Sequence, residues 1–129
     1  MRYMFLTSGA ETGAIPPQAM IDAIEELTER EIAAGRMLAR GGLMPTAMGG
    51  ARMESRRGQL KLTDGPFAET KEVLGGFAIF EFATREEALA SLSSFMELHH
   101  EHWPEWEGFC EMRPMFGFGA TSAAVAEEA

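Results

Sequence analysis

The chain predicts an α+β domain, one layer of strands covered by two helices, and three observations predict it. Residues 2–8 and 74–82 are short runs that alternate yet are apolar on both faces, the mark of interior strands. Two longer stretches carry apolar residues at helical spacing, each opened by a start signal: Pro16-Pro17 for one, Thr84 with Glu87 for the other. Between them, residues 51–63 read as two strands turning near Arg57-Gly58.

In chain order, Tyr3 and Phe5 share one face of the first strand, and Met4 and Leu6 the other. A loop rich in Gly, Ala and Thr follows over residues 9–15. The first helix then runs to about Gly35, a stop signal, with Met20, Ala23, Ile24, Leu27 and Ala34 as its apolar stripe. Asp22, Glu25, Glu26, Glu29 and Arg30 solvate its other side. Met37 to Leu43 is a short strand weakened by Gly41-Gly42. The hairpin leads into a turn at Asp64-Gly65-Pro66-Phe67, where Gly65 is expected at positive φ and Pro66 removes a donor. In the strand over 74–82, Phe77 and Ile79 oppose Ala78, Phe80 and Phe82, and Gly75-Gly76 implies a bulge or a close backbone approach. The second helix begins at a capping box, aligns Ala88, Leu92, Phe95, Met96 and His99, and stops before Pro104. A last strand runs from about Phe109 to Phe116, so the domain is 1–116, and 117–129 is a small-residue acidic tail. The order contains the ferredoxin-like β-α-β-β-α-β pattern with one hairpin inserted before the third core strand. Two helices cover only one face of such a sheet, so a second copy is expected on the other, giving a homodimer.

Composition narrows the function classes. Twenty acidic against eleven basic residues give a net charge of −9, which repels a phosphate backbone; only Arg52, Arg56 and Arg57 cluster, and they read as a solvated hairpin tip. No direct nucleic-acid binding is expected. No apolar run approaches the ~20 residues of a membrane span, and the N-terminus lacks a signal peptide's apolar region. With a single cysteine, Cys110, that points to the cytoplasm. Ten methionines fit a forgiving core or pocket.

The residues that can carry chemistry are few. Asp64 either caps its turn by accepting backbone donors or acts as a general acid/base at a cleft mouth. Phe67 is an apolar anchor, followed by Glu69, Lys71 and Glu72, which form a solvated charge run or receive a ligand, Lys71 suiting an anionic one. His99 lies on the apolar stripe of its helix, as a core histidine or as the best available base. With His100 and His102 it resembles a metal tract only superficially: 99 with 102 is the one convergent spacing, and histidines at a helix C-terminus also favour the macrodipole. No metal and no cofactor are expected. Trp103 and Trp106 flank Pro104, walling a pocket or stapling the helix end to the sheet. Cys110, without basic neighbours, reads as a buried inert thiol. Phosphate-loop, nucleophile-elbow, zinc-protease and dinucleotide motifs are absent.

The tetrad Asp64, Gly65, Pro66 and Phe67 resembles the DGPF signature of the YCII-related, or DGPF-domain, family. The likeness spans roughly residues 1 to 116, with Asp64 to Gly76 its most specific part. It implies a dimeric α+β barrel that binds or transforms small molecules, and an association with extracytoplasmic-function sigma factors that makes the role regulatory or accessory. The broader family is thought to hold a His-Asp pair in a cleft, and the helix over 17–35 contains no histidine to supply it. Two readings follow. One is a homodimeric module that binds a small molecule or acts as an accessory, with Lys71, Glu72, Phe67 and Trp103 as candidate ligand contacts. The other is an acid/base enzyme, an isomerase or lyase, using Asp64 and His99.

Overall fold

The computed structural model describes residues 1–67 and 70–116. Glu69 and the tail expected over 117–129 lie outside the described residues. Eight elements follow in the expected order: β1 (Arg2–Gly9), α1 (Gln18–Ala33), β2 (Met37–Gly42), β3 (Ala51–Arg56), β4 (Gln59–Asp64), β5 (Val73–Glu81), α2 (Arg85–His102) and β6 (Gly108–Pro114). Four strands form one antiparallel sheet in the order β2-β5-β1-β6. Strands β3 and β4 pair with each other as a separate two-stranded sheet.

Periodicity explains which side of the sheet the helices take. Tyr3 and Phe5 of β1 stand opposite Phe80 and Ala78 of β5, and partners in an antiparallel pair share a face. Phe82 continues that row, and Ala88 and Leu92 of α2 close over it. The rings of Phe5, Phe80 and Phe82 form one stack, with centroids 4.7 Å apart for Phe5–Phe80 and 5.2 Å for Phe80–Phe82. Met4, Leu6, Phe77 and Ile79 point to the opposite face.

The helix signals act as their chemistry demands. The Glu87 amide donates to Thr84 Oγ1 at 3.2 Å, while Glu87 Oε2 accepts from the Ala83 amide at 3.1 Å, one residue earlier than a strict capping box. Pro17 sits at the N-cap of α1, where its missing donor costs nothing, and Gly35 ends the helix at φ 75°. The stripe of α1 differs from expectation at its end. Ala34 is exposed, and the buried line runs Met20, Leu27, Thr28 and Glu31, the last carboxylate held by Arg36. A paired Glu can occupy the stripe because Arg36 satisfies it.

The hairpin turns at Arg57 (φ 50°) and Gly58 (φ 76°), the geometry of a type I′ turn. Arg56 and Arg57 are exposed at its tip, but Arg52 is not part of a tip cluster: it lies 4.5 Å from the centroid of the Phe67 ring and donates to Thr70 Oγ1. Truncating the aromatic stack with Phe80→Ala is expected to lower stability by roughly 3–5 kcal/mol, against about 1 kcal/mol for Thr84→Ala at the helix cap. Urea unfolding of the two variants measures both, and equal losses would show that the stack does not carry the core.

Candidate functional site

A cavity of about 580 Å³ lies between the sheet and the two helices. Its origin is a row of missing side chains. On the helix-covered face, Gly42 of β2 stands opposite Gly76 of β5, and Gly76 opposite Thr7 of β1. One step along, Arg40 stands opposite Ala78. The sheet is therefore nearly bare where larger residues would otherwise fill the space up to the helices.

Gly75 completes the gap. The register passes from Thr7↔Gly76 to Ser8↔Leu74, so Gly75 is the extra residue of a β-bulge, as the paired glycines implied. The neighbouring strand also comes close: a Cβ on Gly76 would stand 3.4 Å from the Gly41 carbonyl oxygen. At Gly41 the Phe77 ring occupies the space of a Cβ, 2.6 Å away, so a side chain there would have to displace that ring.

Leu27 and Thr28 of α1 and Ser91 and Phe95 of α2 roof the cavity, with Phe5, Met37 and Phe80 at its base. The lining is largely apolar and aromatic. Arg40 is its only ionisable side chain among the described residues. Thr7 donates to Cys110 Sγ at 3.4 Å, whereas Thr28 and Ser91 have no side-chain hydrogen bond among the described residues. Burial raises the Cys110 thiol above its ordinary value, with the Thr7 and Leu6 hydrogen bonds pulling weakly the other way.

The residues singled out in the sequence lie elsewhere. Asp64 ends β4, is exposed, and holds no side-chain hydrogen bond among the described residues, so it does not cap the turn through its carboxylate. Lys71 and Glu72 are exposed in the segment before β5. His99 is buried in the last turns of α2, its Nδ1 3.0 Å from the Phe95 carbonyl oxygen and its ring 4.6 Å from that of Trp106. His100 is exposed, and no cluster of three His, Cys, Asp or Glu suited to a metal ion occurs among the described residues. Trp103 caps α2, its amide donating to the His99 carbonyl. Trp106 packs against the backbone of Gly9 and Gly108, joining the helix end to β1 and β6. No hydrogen bond or ion pair joins Asp64, Lys71 and His99, and none of them lines the cavity.

Phe67 belongs to a tether that no motif announced. Thr46 donates its amide and its hydroxyl to the two oxygens of Glu11, each at 2.6 Å, and the same hydroxyl accepts the Phe67 amide at 3.1 Å. These bonds hold the Glu11 carboxyl below its usual range, the Thr46 hydroxyl contributing most. Gly65 does not adopt the positive φ expected of it. A side chain there is excluded instead because its Cβ would fall on the Thr46 carbonyl oxygen, while the Gly65 amide bonds Gly50 at 2.8 Å.

A small α+β domain with a mostly antiparallel four-stranded sheet, two helices and an interlayer cavity is thus defined. The chain matches the family model of the YCII-related domain over residues 1–95 and belongs to that family. No curated protein matches it. No helix among the described residues is long and apolar enough to cross a membrane.

Two outcomes follow from the buried groups. Desolvation holds the His99 imidazole below its ordinary 6.5, outweighing the Phe95 hydrogen bond. The folded chain then binds fewer protons there than the unfolded one, so stability is full above that ordinary value and falls as pH drops through it. Melting between about pH 7.5 and about pH 5.5 should show this slope, and His99→Asn should flatten it; an unchanged slope would assign it to other groups. Thr46→Val removes the acceptor of the Phe67 amide, and hydrogen exchange at that amide is expected to quicken roughly tenfold. An unaltered rate would mean that the loop is held by other contacts.

Proposed function

We propose that this YCII-related domain is a homodimeric binding module that receives a small molecule in the cavity between its sheet and its helices. The observation that carries the reading is the paired-glycine floor. Adjacent glycines in two neighbouring strands weaken the sheet, and a bulge adds to the cost. Both are concentrated where they open a space of the size that small-molecule sites occupy, roughly 300–1,000 Å³. Binding is favoured over proton transfer because the described lining offers Arg40 and hydroxyls but no carboxylate or imidazole to act as a base. In the enzyme reading, Asp64 and His99 act away from this cavity, one exposed and one packed on aromatic rings.

The strand order, read as 4-1-3-2 for the four core strands, supports the ferredoxin-like class, with the β3–β4 hairpin as the insertion. Dimerisation is supported by apolar surface that this chain leaves uncovered. Leu38 and Phe109 are 44% and 39% exposed, and on the hairpin Met53 faces Leu62 with exposures of 59% and 58%. A two-stranded hairpin is marginal alone, so a covering partner accounts for its apolar face. The Asp64–Phe67 tetrad resembles the signature of DGPF-domain proteins, and their association with sigma factors supports reading this binding module as a cytoplasmic accessory. Lys71, Glu72, Phe67 and Trp103 are then contacts outside the cavity, on the surface offered to a partner or ligand.

The cavity is tested by filling it. A Cβ on Gly42 meets nothing within 4 Å, so Gly42→Leu is expected to keep the fold, which its melting curve checks. The same change should abolish the thermal shifts that a metabolite panel gives with the native chain. Shifts that persist in the variant would place binding elsewhere. Light scattering at micromolar concentration should give twice the 14.1 kDa chain mass, and a monomer would refute the dimer.

A further inference from the structure

We infer that the ligand of this cavity is a small organic carboxylate with an aromatic or otherwise apolar body, its anionic end held by Arg40. The inference rests on the cavity being the binding site and adds the class of molecule that enters it. Arg40 comes from β2 on the helix-covered face, opposite Ala78, a position where an apolar residue would pack under the helices. It is exposed at the edge of the space and still part of the lining.

The ion pairs among the described residues engage Arg2, Arg36, Arg56, the N-terminus and His102, and none engages Arg40. Arg52 is spent on Phe67. A guanidinium beside an apolar cavity, without a carboxylate of its own, presents a planar fork of donors that matches a carboxylate in two parallel hydrogen bonds. Thr28 and Ser91, with open hydroxyls on the opposing helices, supply further polar contacts at fixed positions. Phe5, Phe80 and Phe95 provide the surface on which a ring would be buried.

The overall charge of −9 works against an anion, but at physiological salt exposed charges beyond about 8 Å are largely screened. Close to the cavity the balance reverses. Glu31, the buried carboxylate of the neighbouring helix, is already paired with Arg36, and Arg40 is the one charged side chain in the described lining. An amine ligand meets the opposite situation, with a like charge and no counter-ion in the described lining.

The test uses the full chain and two matched probe pairs: phenylacetate with phenylacetamide, and 2-naphthylacetate with its amide. Binding is followed by amide chemical shifts of Gly42, Gly76 and Phe95 in a titration at moderate salt. Each carboxylate is expected to shift these signals and to bind more tightly than its amide. Arg40→Gln should weaken the carboxylates roughly tenfold or more and leave the amides unchanged. If the amides bind as well as the acids, or if Arg40→Gln leaves the acids unaffected, the carboxylate assignment is overturned while the cavity stands. If no probe of either kind moves those signals, both the assignment and the cavity as a binding site for such molecules are overturned. Since Arg40 is exposed, loss of folding in the variant is checked by its melting curve, and Arg40→Lys, which keeps the charge without the fork, should retain part of the affinity.

Discussion

The glycine floor, Gly42 and Gly76 facing the helices from adjacent strands, is the constraint on which the cavity of this fold depends. Gly76, Ala78 and Phe80 alternate regularly against Thr7, Phe5 and Tyr3, so a larger residue at 76 would present a filled surface to the helices. Gly76 and Gly42 leave two adjacent strands without side chains on the helix-covered face, and the extra residue Gly75 shifts the register just beyond them, between Thr7 and Ser8. Below this point the layers close normally, with Phe5, Phe80 and Phe82 stacked under Ala88. The cavity is therefore the space left when a continuous aromatic core meets a glycine floor. Its shape is set by backbone, which makes it largely pre-formed.

The most recognisable stretch of the sequence has a different task. Gly65 is required because it passes against the Thr46 carbonyl, and Phe67 is held from its amide by the Thr46 hydroxyl and from its ring by Arg52. Thr46 is itself clamped by Glu11, so three loops distant in sequence meet at one buried hydroxyl. A signature of this kind marks a packing solution. It anchors the hairpin to the body of the domain, and the cavity lies on other elements.

Much of the architecture was legible because it follows from local rules. The two-faced strands, the Thr84–Glu87 cap, the Gly35 stop and the Arg57-Gly58 turn each depend on residues within a few positions of one another. What escaped depends on pairing over long separations. Nothing within loop 9–15 shows that Glu11 will find Thr46, although it is the only charged residue of that loop. Gly41-Gly42 read as a weak point and Gly75-Gly76 as a bulge or close approach; only the register, which aligns Gly42 with Gly76, turns them into a floor. Arg40 passed unnoticed for the same reason. Its inward position becomes visible once Ala78 is its partner. Sequence spacing picked out titratable residues by type, and His99 is an instance of how burial changes such a residue: between Phe95 and Trp106 it is a neutral packing group.

Strand β5 also links the two proposed surfaces. Gly76, Ala78 and Phe80 lie on the helix-covered face beside the cavity, and Phe77 and Ile79 alternate to the opposite face. Phe77 lies on Gly41 with no room for a Cβ between them, so β2 and β5 are locked together on that face. The glycine floor of the cavity and the contact of Phe77 with Gly41 thus lie on the same two strands, β2 and β5, so the packing on one face of the sheet is fixed by the backbone that shapes the other.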